Sequence, residues 1–142
     1  MTVKQKKIWI TGASSGIGKA VALKFAKENW QVAASARRKE LLDELAQNEN
    51  ISSFPLDVTD DNLTKKVFSD ILNKFKDLDL CIFCSGAYDP KLEKEINKEQ
   101  IRKIMNINFF GVLNCIKAVE EYFKNKKEGH ISVVSSVAAY RG

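Results

Sequence analysis

The stretch Thr11-Gly12-Ala13-Ser14-Ser15-Gly16-Ile17-Gly18 decides how the rest of the chain is read. It follows a short apolar strand, Ile8-Trp9-Ile10. It opens a helical segment from Ile17 to Glu28, in which Val21, Leu23, Phe25 and Ala26 supply the apolar faces. A strand that enters a glycine-rich turn and leaves as a helix is suited to binding phosphate. Glycine allows the tight turn and a close backbone approach, and the helix start offers unpaired N–H groups and a partial positive charge. Two common versions of such a turn fail on spacing. A P-loop would need glycine at position 13 and Ser or Thr after Gly18-Lys19, but Ala13 and Ala20 stand there. The G-x-G-x-x-G dinucleotide pattern fails because Val21 occupies the place of its last glycine. What remains is T-G-x-x-x-G-x-G, with Gly12, Ser14, Ser15, Gly16, Ile17 and Gly18 as candidate cofactor-binding residues.

Outward from this turn the chain alternates strand and helix. Strands are predicted at Val32–Ser35, Ser52–Leu56, Leu80–Cys84 and Ile131–Val134. Helices are predicted at Glu40–Gln47 and Asp61–Phe75, with one long helix over Glu99–Lys124. Such alternation implies β-α-β units and right-handed crossovers. The expected fold is α/β, a doubly wound, Rossmann-like parallel sheet, forming one domain over residues 1–142. Ligands of such sheets bind beyond the carboxyl ends of the strands. The places to search are therefore just after Ile10, Ser35, Leu56, Cys84 and Val134.

Composition narrows the function classes. The hydrophobic fraction is 44% and the charged fraction 29%, ordinary for a soluble globular protein. The net charge of +5 comes from lysines spread along the chain, without a nucleic-acid motif, so neither nucleic acid nor membrane is expected as a partner. The basic start, Met1 to Lys7, lacks the apolar run and cleavage site of a signal peptide, and a cytoplasmic location is the expectation. Three cysteines argue against a disulfide framework. Cys81 and Cys84 have a C-x-x-C spacing, but on a strand residues three apart face opposite ways, so core packing is expected and no metal site. His130 reads as a strand-edge residue.

The end of the second strand bears on cofactor choice. An NAD-binding sheet places Asp or Glu there for the ribose hydroxyls, and that carboxylate would repel a 2′-phosphate. This chain has Ser35-Ala36-Arg37-Arg38 instead. Guanidinium groups make paired, charge-assisted hydrogen bonds to phosphate, which points to NADP(H). Arg37 is the leading candidate, with Arg38 beside it and the hydroxyls of Ser14 and Ser15 across the turn. Solvated arginines at a helix start are the alternative.

The Thr11–Gly18 motif resembles the cofactor loop of the short-chain dehydrogenases/reductases, and the resemblance runs the length of the chain. Leu56-Asp57-Val58-Thr59 is similar to the segment whose Asp and following backbone hold the adenine, so Asp57 and Val58 are implied. Asn106-Ile107-Asn108-Phe109-Phe110-Gly111 resembles the helix with the catalytic asparagine, which maps onto Asn108. Gly129 to Ser136 resembles the strand ending in the catalytic serine, which maps onto Ser136. For Ser136 the residue-level alternative is a serine capping its own backbone.

There are two departures. The N-N-A-G stretch corresponds to Phe83-Cys84-Ser85-Gly86, keeping only Gly86 for the cofactor site. The Tyr-x-x-x-Lys pair lies downstream of the serine and is not among these 142 residues; Tyr140 is too close to Ser136 and no lysine follows it. The resemblance implies an NADP(H)-dependent oxidoreductase that moves a hydride between nicotinamide and a carbonyl or alcohol substrate. In this role Ser136 positions the substrate oxygen and Asn108 holds a water. The chain is expected to be truncated after the fifth strand, inactive by itself and poorly folded. The alternative is a non-catalytic NADP(H)-binding or interaction module. Apolar residues nearly encircle the long helix, and the resemblance implies that it packs on its counterpart in a homo-oligomer of the complete protein.

Overall fold

A strand can return to lie parallel to its predecessor only through a crossover, and this chain makes four such crossovers in succession. In the computed structural model, which describes residues 4–140, the elements are β1 (Lys7–Thr11), α1 (Gly16–Lys27), β2 (Gln31–Ser35), α2 (Lys39–Leu45), β3 (Ile51–Ser53), α3 (Asp61–Phe75), β4 (Leu80–Phe83), α4 (Lys98–Met105), α5 (Gly111–Lys126) and β5 (His130–Val133). Met1–Val3 and Arg141–Gly142 lie outside those residues, and with them the expectations for the two ends of the chain. The sheet order is β3-β2-β1-β4-β5, every pair parallel. Succession runs one way from β1 to β3 and the other way from β4 to β5. The crevice between β1 and β4 is thus the switch point where such sheets bind ligands. Among the described residues no helix is long and apolar enough to cross a membrane.

Each face of the sheet has its own core. Trp9, Cys81 and Phe83 point toward α3 and α5, where Val67, Phe68, Ile71, Cys115 and Val119 meet them. Ile8, Ile10, Val32 and Ala34 point toward α1 and α2, against Ala22, Ala26, Leu42 and Leu45. Cys81 and Cys84 part to opposite faces, as strand alternation requires. Trp9 is fully buried, and its indole N–H is satisfied by the Ser35 hydroxyl at 2.9 Å.

Two predicted elements differ from the structure. The third strand ends at Ser53 and not at Leu56. Pro55 has no N–H to give, but Phe54 and Leu56 still donate to Ala34 and Ala36 of the neighbouring chain segment at 2.9 Å, so the extended path continues. The single long helix is interrupted. Asn106–Phe110 forms a π turn, in which the Gly111 N–H reaches back five residues to the Asn106 carbonyl. Periodicity cannot reveal such a turn, because every residue in it is still helical and apolar positions occur all round.

At the amino ends of the strands, one carboxylate gathers the chain. Asp77 accepts hydrogen bonds from Tyr122 Oη at 2.8 Å, from the Leu78 N–H at 2.9 Å and from Lys4, and it pairs with Lys126 at 2.8 Å. Lys126 also donates to the Leu78 carbonyl at 2.8 Å. Burial by itself would raise the Asp77 pKa. The bonds from Lys126, Lys4, Tyr122 and Leu78 outweigh it and hold the carboxyl well below the usual range. A depressed carboxyl stabilises the fold above its unfolded pKa, near 3.8, and that contribution is lost as pH falls toward the lower folded value. Asp77→Asn is therefore expected to cost roughly 1–2 kcal/mol in urea unfolding at pH 7. It should also flatten the loss of stability below about pH 4 relative to the parent protein.

Candidate functional site

The turn after β1 is shaped by what its glycines lack. Gly12 has φ +68°, and a Cβ there would stand 2.7 Å from the Cys84 carbonyl oxygen at the end of β4. A Cβ on Gly18 would lie 2.3 Å from the Gly12 carbonyl oxygen. The first turn of α1 thus sits directly on the exit of β1. Gly16, by contrast, has φ +54° and open space where a side chain would project. The Ala13 N–H fastens the turn to the Ser35 carbonyl at 3.1 Å. Ser15 is the N-cap of α1 but makes no side-chain capping bond, so its hydroxyl and the opening turn of the helix are available to an anion. An open cradle beside Gly16, under a free helix start, fits a dinucleotide pyrophosphate.

One cleft is lined from all five strand ends. Gly12, Ser14, Ser15, Gly16, Ile17 and Gly18 form its floor. Arg37 and Arg38 follow β2, Asp57 and Val58 follow β3, Gly86 follows β4, and Val134 follows β5. Every cofactor-binding residue expected from the sequence therefore lies on a single surface. The two arginines differ in placement. Both line the cleft, but it is Arg38, not the favoured Arg37, whose Nη2 donates to Ser14 Oγ at 3.0 Å and Ser15 Oγ at 2.9 Å. The cation is already drawn across to the turn and poised beside two hydroxyls.

The segment after β3 is equally fixed. Asp57 Oδ1 accepts from the Thr59 N–H at 3.0 Å and from Thr59 Oγ1 at 2.8 Å, while the Val58 side chain is buried. Asn114 of α5 donates to the Val58 carbonyl at 2.9 Å. Sequence reasoning missed Asn114; its only signal is a polar residue in an otherwise apolar stretch of helix.

The departure Phe83-Cys84-Ser85 has a structural answer. Phe83 is buried and meets Trp9 edge to face, with ring centroids 5.6 Å apart. Its register neighbour Thr11 is also buried, and Thr11 Oγ1 has no hydrogen-bond partner. Aromatic packing closes the centre of the sheet here, and a hydroxyl is left without a side-chain partner. Cys84 lines the cleft, and burial raises its thiol pKa.

The two expected catalytic residues are not among those that line the cleft; Ile107, next to Asn108, and Val134, two residues before Ser136, are. Asn108, in the π turn, accepts from the Ala87 N–H at 2.7 Å and donates to the Ala87 carbonyl at 2.8 Å. These two bonds tie the side chain to the loop after β4 and leave one N–H and one lone pair of the amide unused. Ser136 caps a short 3-10 turn, its Oγ accepting from the Ala138 N–H at 3.2 Å. This is the backbone-capping geometry, and it leaves the hydroxyl proton free. Tyr140 is exposed.

Comparison with known proteins agrees with this architecture. An uncharacterized oxidoreductase of Listeria monocytogenes is 35% identical over 99% of this chain, which spans 59% of that protein. An NADPH-dependent 1-acyldihydroxyacetone phosphate reductase of Schizosaccharomyces pombe is 35% identical over 96% of the chain, which spans 46% of it. The structure of a single-substitution variant of ElxO with NADPH bound superposes with a TM-score of 0.88 at 30% identity, covering 97% of this chain and 58% of that one. The chain thus spans about half the length of such relatives. The family model for short chain dehydrogenases matches residues 6–142. With that pattern running through every strand of the sheet, the chain belongs to the short-chain dehydrogenase family.

Proposed function

We propose that residues 1–142 form the cofactor-binding part of an NADP(H)-dependent oxidoreductase acting on a small-molecule carbonyl or alcohol. The observation that carries this reading is the guanidinium of Arg38 held across Ser14 and Ser15, beside Arg37, at a strand end without a carboxylate. Two guanidinium groups and two hydroxyls line the cleft where a 2′-phosphate would complement them, and a ribose diol has no charge to offer in return. NADP(H), when bound, supplies or accepts the hydride. The glycine turn and the start of α1 hold the pyrophosphate, and Asp57 and Val58 face the adenine end. Ser136 keeps a free O–H to donate to the substrate oxygen while its lone pair is engaged by Ala138. Asn108 fixes Ala87 in the loop after β4, and its remaining N–H and lone pair are open to a water. The proton for the developing alkoxide comes from outside these residues, because Tyr140 has no lysine near it in sequence.

The second part of the proposal concerns assembly. Ile101, Met105, Phe109, Phe110 and Leu113 are each at least 40% exposed along α4, the π turn and α5. This apolar ridge suits a second copy of the same helix.

In the protein at full natural length, NADPH is expected to bind more tightly than NADH. Arg37→Ala and Arg38→Ala should each weaken NADPH by about tenfold or more, since a charge-assisted bond contributes roughly 1.5–3 kcal/mol. NADH affinity should stay unchanged; equal titration curves for the two cofactors in the parent protein would sink the reading. Residues 1–142 expressed alone should give no measurable NADPH oxidation with aldehydes or ketones, and turnover that disappears in Ser136→Ala would contradict this. Light scattering on the full-length protein should report a dimer or larger, and Phe109→Glu should shift it toward monomer.

A further inference from the structure

We infer that Asn114, with Gly111 one turn before it on α5, is a positioning residue for the cofactor's adenine end, acting through the peptide between Val58 and Thr59. The inference rests on the cofactor reading above and assigns a residue that does not itself line the cleft.

The peptide plane is held at both ends. Its carbonyl accepts from Asn114 Nδ2 at 2.9 Å. Its N–H, belonging to Thr59, donates to Asp57 Oδ1 at 3.0 Å. Rotation of this plane would break both bonds at once, so Asn114 fixes the orientation of the Asp57 carboxylate without touching it. Gly111 provides the second restraint. A Cβ there would fall 2.5 Å from Val58 Cγ2, so the buried Val58 side chain rests directly on the helix backbone. Residues three apart share one helix face, and this face grips carbonyl and side chain of the same residue. The π turn immediately before Gly111 sets the face in place. Asp57 and Val58 lie on the cleft wall, so the geometry there depends on α5.

The test uses the protein at full natural length with three probes: NADPH, adenosine 2′,5′-bisphosphate and reduced nicotinamide mononucleotide. Asn114→Leu removes the donor and should raise the Kd of NADPH and of the bisphosphate by about fivefold each, the scale of one net hydrogen bond. Mononucleotide affinity and kcat should stay within about twofold, so the effect appears in KM for NADPH. Gly111→Ala should act in the same direction. Adding Val58→Ala should recover part of its loss, because the clash is relieved. A purely structural role would instead weaken all three probes together or lower only the melting temperature, and either result overturns the inference. Unchanged affinities in both Asn114→Leu and Gly111→Ala would overturn it as well. Failure of the parent protein to bind NADPH would overturn the cofactor reading and this inference with it. Normal binding by the parent with indifferent variants removes this inference alone.

Discussion

Three backbone segments meet at the carboxyl end of β1 with no room for a methyl group between them. The exit of β1, the first turn of α1 and the end of β4 approach so closely that side chains at Gly12 or Gly18 would overlap carbonyl oxygens. Crowding of this kind cannot be relieved by a rotamer change, because the neighbour is backbone. It fixes where the helix starts relative to the sheet, and therefore where its unpaired N–H groups point. The contact from β4 is made by the Cys84 carbonyl, an atom every residue possesses. That is why Phe83-Cys84-Ser85 can depart from the family pattern while the turn keeps its shape. The departure is felt instead in side chains, as a buried aromatic pair and an unpartnered Thr11 hydroxyl.

The helix before β5 serves as a second frame. Through Asn108 it holds the loop after β4, and through Gly111 and Asn114 it grips the segment after β3. Its buried side, Cys115 and Val119, belongs to one core, while its outer ridge is apolar and uncovered. One element thus touches two walls of the cleft and the sheet, and carries an exposed apolar ridge. At the opposite end of the strands, Asp77 collects β4, α5 and the entering chain.

Much of this was legible from residue types and spacing. The strand–helix rhythm implies the parallel sheet, and the five strand ends named from the sequence line one cleft. Glycine spacing identifies the turn because the steric demand is local. Three things were not legible. The π turn keeps helical composition, so a period search passes through it. That Arg38 is the arginine bonded to Ser14 and Ser15 depends on how α2 leaves the sheet, which adjacency in sequence does not encode. Asn114 reaches a carbonyl 56 residues away in sequence, and only the packed structure joins them. Ser136 lay between two readings, and its geometry accommodates both, since a hydroxyl can accept from its own backbone and still donate outward.

The π turn has a bearing on what kinds of genetic change this protein tolerates. A π turn spends about one residue more than the α-helical turn it replaces, so the helix beyond it leaves in nearly the phase it would have without the extra residue. Loss of one residue within Asn106–Phe110 would restore an ordinary turn and keep α4 and α5 close to their present relation. What would suffer is local, the placement of Asn108 against Ala87. The same loss between Gly111 and Asn114 meets no wide turn, and would part the two residues that hold Val58 by about 100°. Changes of length are therefore borne more easily before Gly111 than after it.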